Sequence, residues 1–563
     1  MPFASAVTIL AVFCSCSSIQ TMAAPKQVGR EHPFEADFYY IMGYDAYISF
    51  RWDEALSYYR KALEQDPSSA YLRTQIALVM YRMGKAGDAL AAAGDVVRDH
   101  PDYIPALMIM GEVYYDQKKI PESLQICKRI LELDPNDRDA ALFLGRLYYI
   151  NDQFDEAVKT FERLVATDAE DFIALDYLGS IYLDKKDYVR SEQYIRRTLE
   201  IRPDLDTAYF KLGLISEIRE QLKEAAEFYE KAVSLNPHNS EGRERLGQVY
   251  LKMKDYDKAI GEFQRLSRQR PEDTDVHVRL GLLYFEGQHY ERSLEEFRLA
   301  LKSRPGNNSI RYYLALVLEE MQRNEEAAAE LKAILSSEPK NVNAFLHLAL
   351  ANTRMKKDDE AIRIYEEILQ FEKDKAEVYI YLAAALVQKK DYGKAESVLK
   401  DGLSRFAGNS DLHFNMAVVM EKTGRFDEMV AELRKAIELN PRNADALNYL
   451  GYSYADKNIH VDEAEKLVER ALEVRPGNGY ILDSLGWVYY RQRRFEKALE
   501  AVLKAAESTR DDPVVFEHLG DIYKELKEPA RAAEAWRKAL EHPETEEGGT
   551  ERVRRKLKEL GPQ

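Results

Sequence analysis

The chain has 563 residues, 45% of them apolar and 31% charged, with 36 tyrosines but only 19 prolines. A single core rarely grows beyond about 300 residues, so this length excludes one globular domain and predicts several domains or an elongated array. With 80 basic against 97 acidic residues the net charge is −17. That excludes a general polyanion binder, because neutralising phosphates needs clustered Lys and Arg, and nucleic acid is therefore not an expected partner.

No charged residue occurs from Met1 to Ala24, and Phe3 to Phe13 (FASAVTILAVF) is almost continuously apolar. Such a run is shorter than the roughly 20 residues a membrane-spanning helix needs. Small residues follow it (Ser15, Ser17, Ser18, Ala23, Ala24), so 1–24 reads as a secretory signal and 25–35 as a short linker. The usual positive n-region is missing, which is consistent with a start further upstream. Two endings stay open. Cys16, flanked by Ser15 and Ser17, resembles the lipidated cysteine of a bacterial lipoprotein signal, although Phe13 stands where such signals carry an aliphatic residue. Alternatively the signal is cleaved near Ala24, and Cys14 and Cys16 are incidental.

From residue 36 onward the sequence repeats itself every 34 residues. A small residue recurs as an anchor at Gly43, Ala77, Gly111, Gly145, Gly179, Gly213, Gly247, Gly281, Ala315, Ala349, Ala383, Ala417, Gly451, Gly486 and Gly520. The only slip is one extra residue between Gly451 and Gly486, within ADKNIHVDEAE (455–465). Twelve residues after each anchor, or thirteen in the slipped repeat (Gly451 to Ala464), a second small residue follows (Ala55, Ala89, Ser123 and so on), with Met429 as the exception. Apolar residues within a repeat recur at three and four, which is helical, and no strand alternation appears. Each repeat therefore reads as two helices, the second ending at proline in ten of the fifteen, where proline cannot continue it. Small residues suit positions at which two helices cross closely. Repeats start near 36, 70, 104, 138, 172, 206, 240, 274, 308, 342, 376, 410, 444, 479 and 513. Gly anchors in most of repeats 1–8, Ala in 9–12 and Gly again in 13–15 suggest a change of curvature near 308 and 444. With no Pro/Gly/Ser-rich linker, 36–545 reads as one continuous array.

The segments YLGSIYLDKKDY (177–188), RLGQVYLKMKDYDKAIGEF (245–263) and LGWVYYRQRRFEKALE (485–500) carry the pattern W-x₂-L-G-x₂-Y in a first helix, Ala and an aromatic in a second. The chain thus resembles the tetratricopeptide repeat family over about nine-tenths of its length. The resemblance implies an all-α, right-handed superhelical solenoid of about fifteen helix-turn-helix repeats, with first helices lining a concave groove. TERVRRKLKEL, inside the tail 546–563, reads as a charged C-terminal capping helix.

No catalytic set, metal site or cofactor motif emerges. The ten histidines are scattered without zinc spacing, and no P-loop or G-x-S-x-G occurs. Cys127 stands where other repeats carry Phe161, Tyr229, Phe263 and Phe297, and so reads as a buried structural thiol. The informative variation lies on one stripe of the first helix, three residues before, one after and four after each anchor. Tyr47, Tyr81, Tyr115 and Tyr149 occupy its last position in perfect register, and Tyr40 and Tyr44 extend that patch. Tyr452, Tyr480, Trp487 and Tyr490 form a second aromatic group near the other end. Two readings stand side by side: contact residues for a partner segment, or packing between adjacent first helices. A family variant that clamps C-terminal carboxylates uses Lys and Asn at groove positions that here hold Tyr40, Tyr44, Thr74 and Leu78, so that clamp is absent.

These features predict a non-catalytic protein or peptide scaffold, exported to the periplasm, with a lipid anchor in the outer membrane if Cys16 is acylated. The service expected of it is assembly or secretion of envelope components. A regulatory array recruiting substrate for a separate envelope enzyme is a second reading, and a cytoplasmic signalling or nucleic-acid-associated adaptor a third.

Overall fold

The computed structural model describes residues 34–509, 512–542 and 548–560; the expected signal, Cys16 and most of the linker lie outside them. The described residues form 31 α-helices and no strand. First helices begin at Phe34, Ala70, Ile104, Arg138 and so on to Pro513, each followed by a second helix, and Gly549–Glu559 closes the series. The chain divides into two compact units, one ending at Pro271 and one beginning at Glu272, where the sequence reads as an undivided array. The repeat frame crosses this boundary without a slip. The first unit holds repeats 1–7; the second holds repeats 8–15 and the terminal helix. Within each unit, helices pack on their chain neighbours, and consecutive first helices touch directly.

Local chemistry explains the regularity. Most first helices are capped by an Asp, Asn or Ser side chain accepting from the third following amide, as Asp137 does from Ala140 N and Asn443 from Ala446 N. The short turn between the two helices of a repeat contains a left-handed residue, such as Gly84, Lys118 or Lys254. In the slipped repeat both Asn458 and His460 are left-handed, so the extra residue is absorbed in that turn.

Close packing of the two helices accounts for the anchors. A Cβ on Gly145 would stand 2.6 Å from Phe161 Cζ, and one on Gly520 would stand 2.3 Å from Trp536 Cδ1. The residue sixteen after a Gly anchor is aromatic in repeats 1, 4, 6, 7, 8 and 15, whereas after the Ala anchors it is Ala93, Leu331, Tyr365, Leu399 and Leu433. Tyr365 opposite an Ala anchor, and Cys127, Ile195, Leu467 and Val502 opposite Gly anchors, are exceptions; in the other ten repeats Gly and Ala trade volume against the facing side chain. That exchange accounts for the Gly/Ala choice in those repeats. Where the second small residue is Ser, its hydroxyl donates to the anchor's carbonyl: Ser123 to Gly111 O (2.8 Å), Ser191 to Gly179 O (2.7 Å) and Ser293 to Gly281 O (2.7 Å). Cys127 is buried with no exposed surface, and burial pushes its thiol up to about 12, which keeps it in the unreactive protonated form.

Candidate functional site

The N-terminal tyrosines form a packed seam more than an open row. Tyr40 stacks near Tyr44 (6.4 Å between ring centres) and Tyr59 (5.9 Å), and its hydroxyl lies 2.7 Å from that of Tyr71. Tyr47 meets Trp52 edge-on at 5.4 Å, and Tyr115 meets Phe143 at 6.0 Å. Tyr81 donates to Asp116 and Tyr149 to Asp184, each at 2.5 Å and each on the next first helix. Burial first, then the accepting carboxylate, raises the pKa of both phenols. Tyr40, Tyr47, Tyr81, Tyr115 and Tyr149 are half-buried, and only Tyr44, 40% exposed, stands well out.

At the other end the structure separates residues that the sequence grouped. Trp487 is only 7% exposed. Its ring is sandwiched between Tyr490 (4.7 Å, 4° between planes) and His518 (4.1 Å, 16°), and the Arg491 guanidinium stands 4.7 Å from it. Trp487 therefore presents no face to a ligand; helical register places it on the stripe, but its neighbours enclose it. His518 is held by Asp483 at 2.9 Å. Burial opposes a charge on His518, but the Asp483 carboxylate outweighs it and the pKa stands above the ordinary value. Tyr452 and Tyr490 are half-buried beside this stack, and burial pushes the Tyr490 phenol up to about 12. Tyr480 is 61% exposed, on the first turn of its helix. The stripe ends in the chain's own cap: Arg552 bonds Glu517 (2.7 Å), and Lys556 bonds Glu517 (2.7 Å) and Asp521 (2.5 Å). Cap and repeat also share an apolar contact, Val553 against Trp536. The last helix is thus docked by ion pairs on the stripe as well as being charged outside.

A row without aromatic residues lies in the second unit. One residue after the anchor, repeats 8–12 carry Leu282, Leu316, Leu350, Ala384 and Val418, all partly or fully exposed, while the anchors beside them are buried. Apolar side chains repeated on one exposed face are the signal, and the column was readable at the 34-residue spacing. The same positions in the first unit are mixed: Tyr44, Leu78, Glu112, Arg146, Ser180, Leu214 and Gln248. Among the described residues no group of His, Cys, Asp and Glu could hold a metal ion, and no helix is long and apolar enough to cross a membrane.

Models described as tetratricopeptide repeat match residues 80–146, 114–179 and 218–281, and others match 36–69, 460–513 and, as TPR repeat, 422–458. Together they span more than half of the chain, and the model of the psidin N-terminal TPR region matches 283–400 in addition. The chain belongs to the tetratricopeptide repeat family. It is 30% identical over 128 residues to a TPR repeat-containing protein of Pseudomonas aeruginosa, covering 23% of this chain and 22% of that one. It is 28% identical over 109 residues to a human protein O-mannosyl-transferase (19% and 12%). It is 29% identical over 132 residues to the type IV pilus assembly protein PilF of Pseudomonas aeruginosa (23% and 52%). The matched segment thus spans about a fifth, an eighth and half of these relatives. Tetratricopeptide arrays are scaffolds for protein–protein contacts, and this one is an all-α solenoid of that kind.

Proposed function

We propose that this tetratricopeptide array is a non-catalytic scaffold of the bacterial envelope, holding an extended or helical segment of a partner protein along its first-helix stripe. The observation that carries this is the row Leu282, Leu316, Leu350, Ala384 and Val418, of which Leu350 and Ala384 are exposed and the others half-buried. Regularly spaced apolar side chains facing solvent mark a binding surface, because a solvated face would carry polar residues at these positions. Tyr480, 61% exposed in the same unit, is the aromatic position best placed to add to it. The envelope setting draws on the charge-free segment 1–24 with Cys16 and on the relative named for type IV pilus assembly. Assembly or secretion of pili, outer-membrane proteins or polysaccharide is the corresponding service. Leu316→Glu/Leu350→Glu, at half-exposed positions, leaves helicity unchanged by circular dichroism and abolishes partner capture from detergent-solubilised envelope. Capture at wild-type yield would overturn the reading. Labelled acyl chains incorporated into the wild type and lost in Cys16→Ala test the anchor, and absence of label in the wild type rejects it.

A further inference from the structure

Glu319 occupies the stripe position that holds tyrosine in the first four repeats, yet it is only 4% exposed. One carboxylate oxygen, Oε2, accepts from His347 Nδ1 at 2.9 Å on the next first helix. The other, Oε1, is buried without a hydrogen-bond partner, and so is Oδ1 of Asn324. Both residues line an open recess of about 410 Å³ together with Glu320, Gln322 and Arg354. Arg354 does not neutralise the carboxylate: its guanidinium donates to the main-chain oxygen of Glu319, at 3.1 Å. The recess therefore sets two carboxylates against one guanidinium and leaves two acceptor oxygens unmatched. Buried acceptors are costly to leave unmatched, and beside the carboxylates of Glu319 and Glu320 a donor that also carries positive charge fits best. We infer that this recess receives the ammonium of a lysine or the guanidinium of an arginine from a bound polypeptide. Exposed Gln322 forms part of the rim, and movement of Gln322 and of the Arg354 side chain admits the group. The neighbouring apolar residues Leu316 and Leu350 add a specificity rule: a segment with a basic residue beside an apolar one is preferred.

The assignment rests on the proposed scaffold role only in taking the donor to be a polypeptide side chain. Its test is correspondingly direct. The full chain, labelled with ¹⁵N-histidine and with His347 assigned by its loss in His347→Gln, is titrated with the capped single residues Nα-acetyl-lysine methylamide, its arginine counterpart and its neutral norleucine counterpart. Saturable shifts of His347 are expected with lysine, arginine or both, the two arms separating ammonium from guanidinium. Norleucine gives none, and Glu319→Gln weakens binding about tenfold or more, as expected for a lost charge-assisted hydrogen bond. No saturable shift with either cation, equal shifts with norleucine, or undiminished binding in Glu319→Gln would each overturn the assignment. Cation binding with partner capture intact in Leu316→Glu/Leu350→Glu would instead sink the apolar-row reading and leave the recess standing.

Discussion

Adding one methyl group at Gly145 tests the packing rule most sharply. The new Cβ would stand 2.6, 2.8 and 2.9 Å from Cζ, Cε1 and Cε2 of Phe161. That ring cannot swing aside, because it is fully buried and stacked on Tyr177 of the next repeat at 4.9 Å with 2° between planes. Overpacking of this kind costs about 1–3 kcal/mol, and the better helix propensity of alanine returns about 1. Gly145→Ala should therefore lose up to about 2 kcal/mol. Gly94→Ala and Gly261→Ala, where a Cβ meets nothing within 4 Å, should instead gain up to about 1 kcal/mol. Gly145→Ala/Phe161→Leu rebuilds the Ala–Leu pair found at Ala315–Leu331, Ala383–Leu399 and Ala417–Leu433, with a favourable coupling of about 1–2 kcal/mol. Native-state hydrogen exchange in Arg138–Ile150 and Phe154–Thr167 is the appropriate assay, since a repeat array need not unfold in one step. If Gly145→Ala proved as stabilising as Gly94→Ala, or if Phe161→Leu brought no rescue, the volume-exchange argument would fail.

Two titrations and one hydroxyl deletion follow from the same geometry. The raised pKa of His518 means that its charged pair with Asp483 stabilises fully below about pH 6.5 and that this contribution is lost as pH rises through the folded value. Thermal unfolding of the C-terminal unit followed from about pH 6 to about 9 should show this fall in the wild type and a flatter curve in His518→Gln. Glu396, hydrogen-bonded first by Arg425 and then by Lys400, has its pKa lowered from 4.5 to about 2. Its contribution is present above 4.5 and lost as pH falls towards 2, so acid unfolding should set in with a shallower slope in Glu396→Gln. Tyr149→Phe removes the bond to Asp184 and should cost about 1 kcal/mol in urea unfolding, with partner capture intact; a loss of capture at unchanged stability would make the phenol a contact residue.

Much of this architecture is legible in the residues because its determinants are local. The 34-residue spacing, the small residue at each helix crossing and the Asx caps depend on neighbours within one repeat, and the 30 helices of the fifteen repeats follow this frame. Trp487 shows the opposite case. Helical register puts it on the stripe, but its burial depends on His518, a full repeat further on, and on Tyr490 and Arg491 folding over it. Beside the residue sixteen positions later, the Gly/Ala choice also shows volume exchange in ten of the fifteen repeats. The apolar column from Leu282 to Val418 is present in the sequence at the same spacing, but apolar letters alone do not tell a buried stripe from one left partly exposed. The unmatched oxygen of Glu319 was not accessible at all, because it depends on which side chains reach it and which stop short.

The pairing of each anchor with its own facing side chain bears on how such an array can be rebuilt. Gly520 accommodates Trp536 and Gly145 accommodates Phe161, while Ala315 sits against Leu331. A crossover between repeats hands on a matched lock and key, whereas a crossover in the turn between two helices of one repeat can join an alanine anchor to a tryptophan. Duplication, deletion or engineered shuffling should therefore succeed at the proline-bearing joints between repeats and fail at the left-handed turns inside them, although both are equally short surface connections. Heredity would treat the 34-residue hairpin, and not the helix, as its indivisible word.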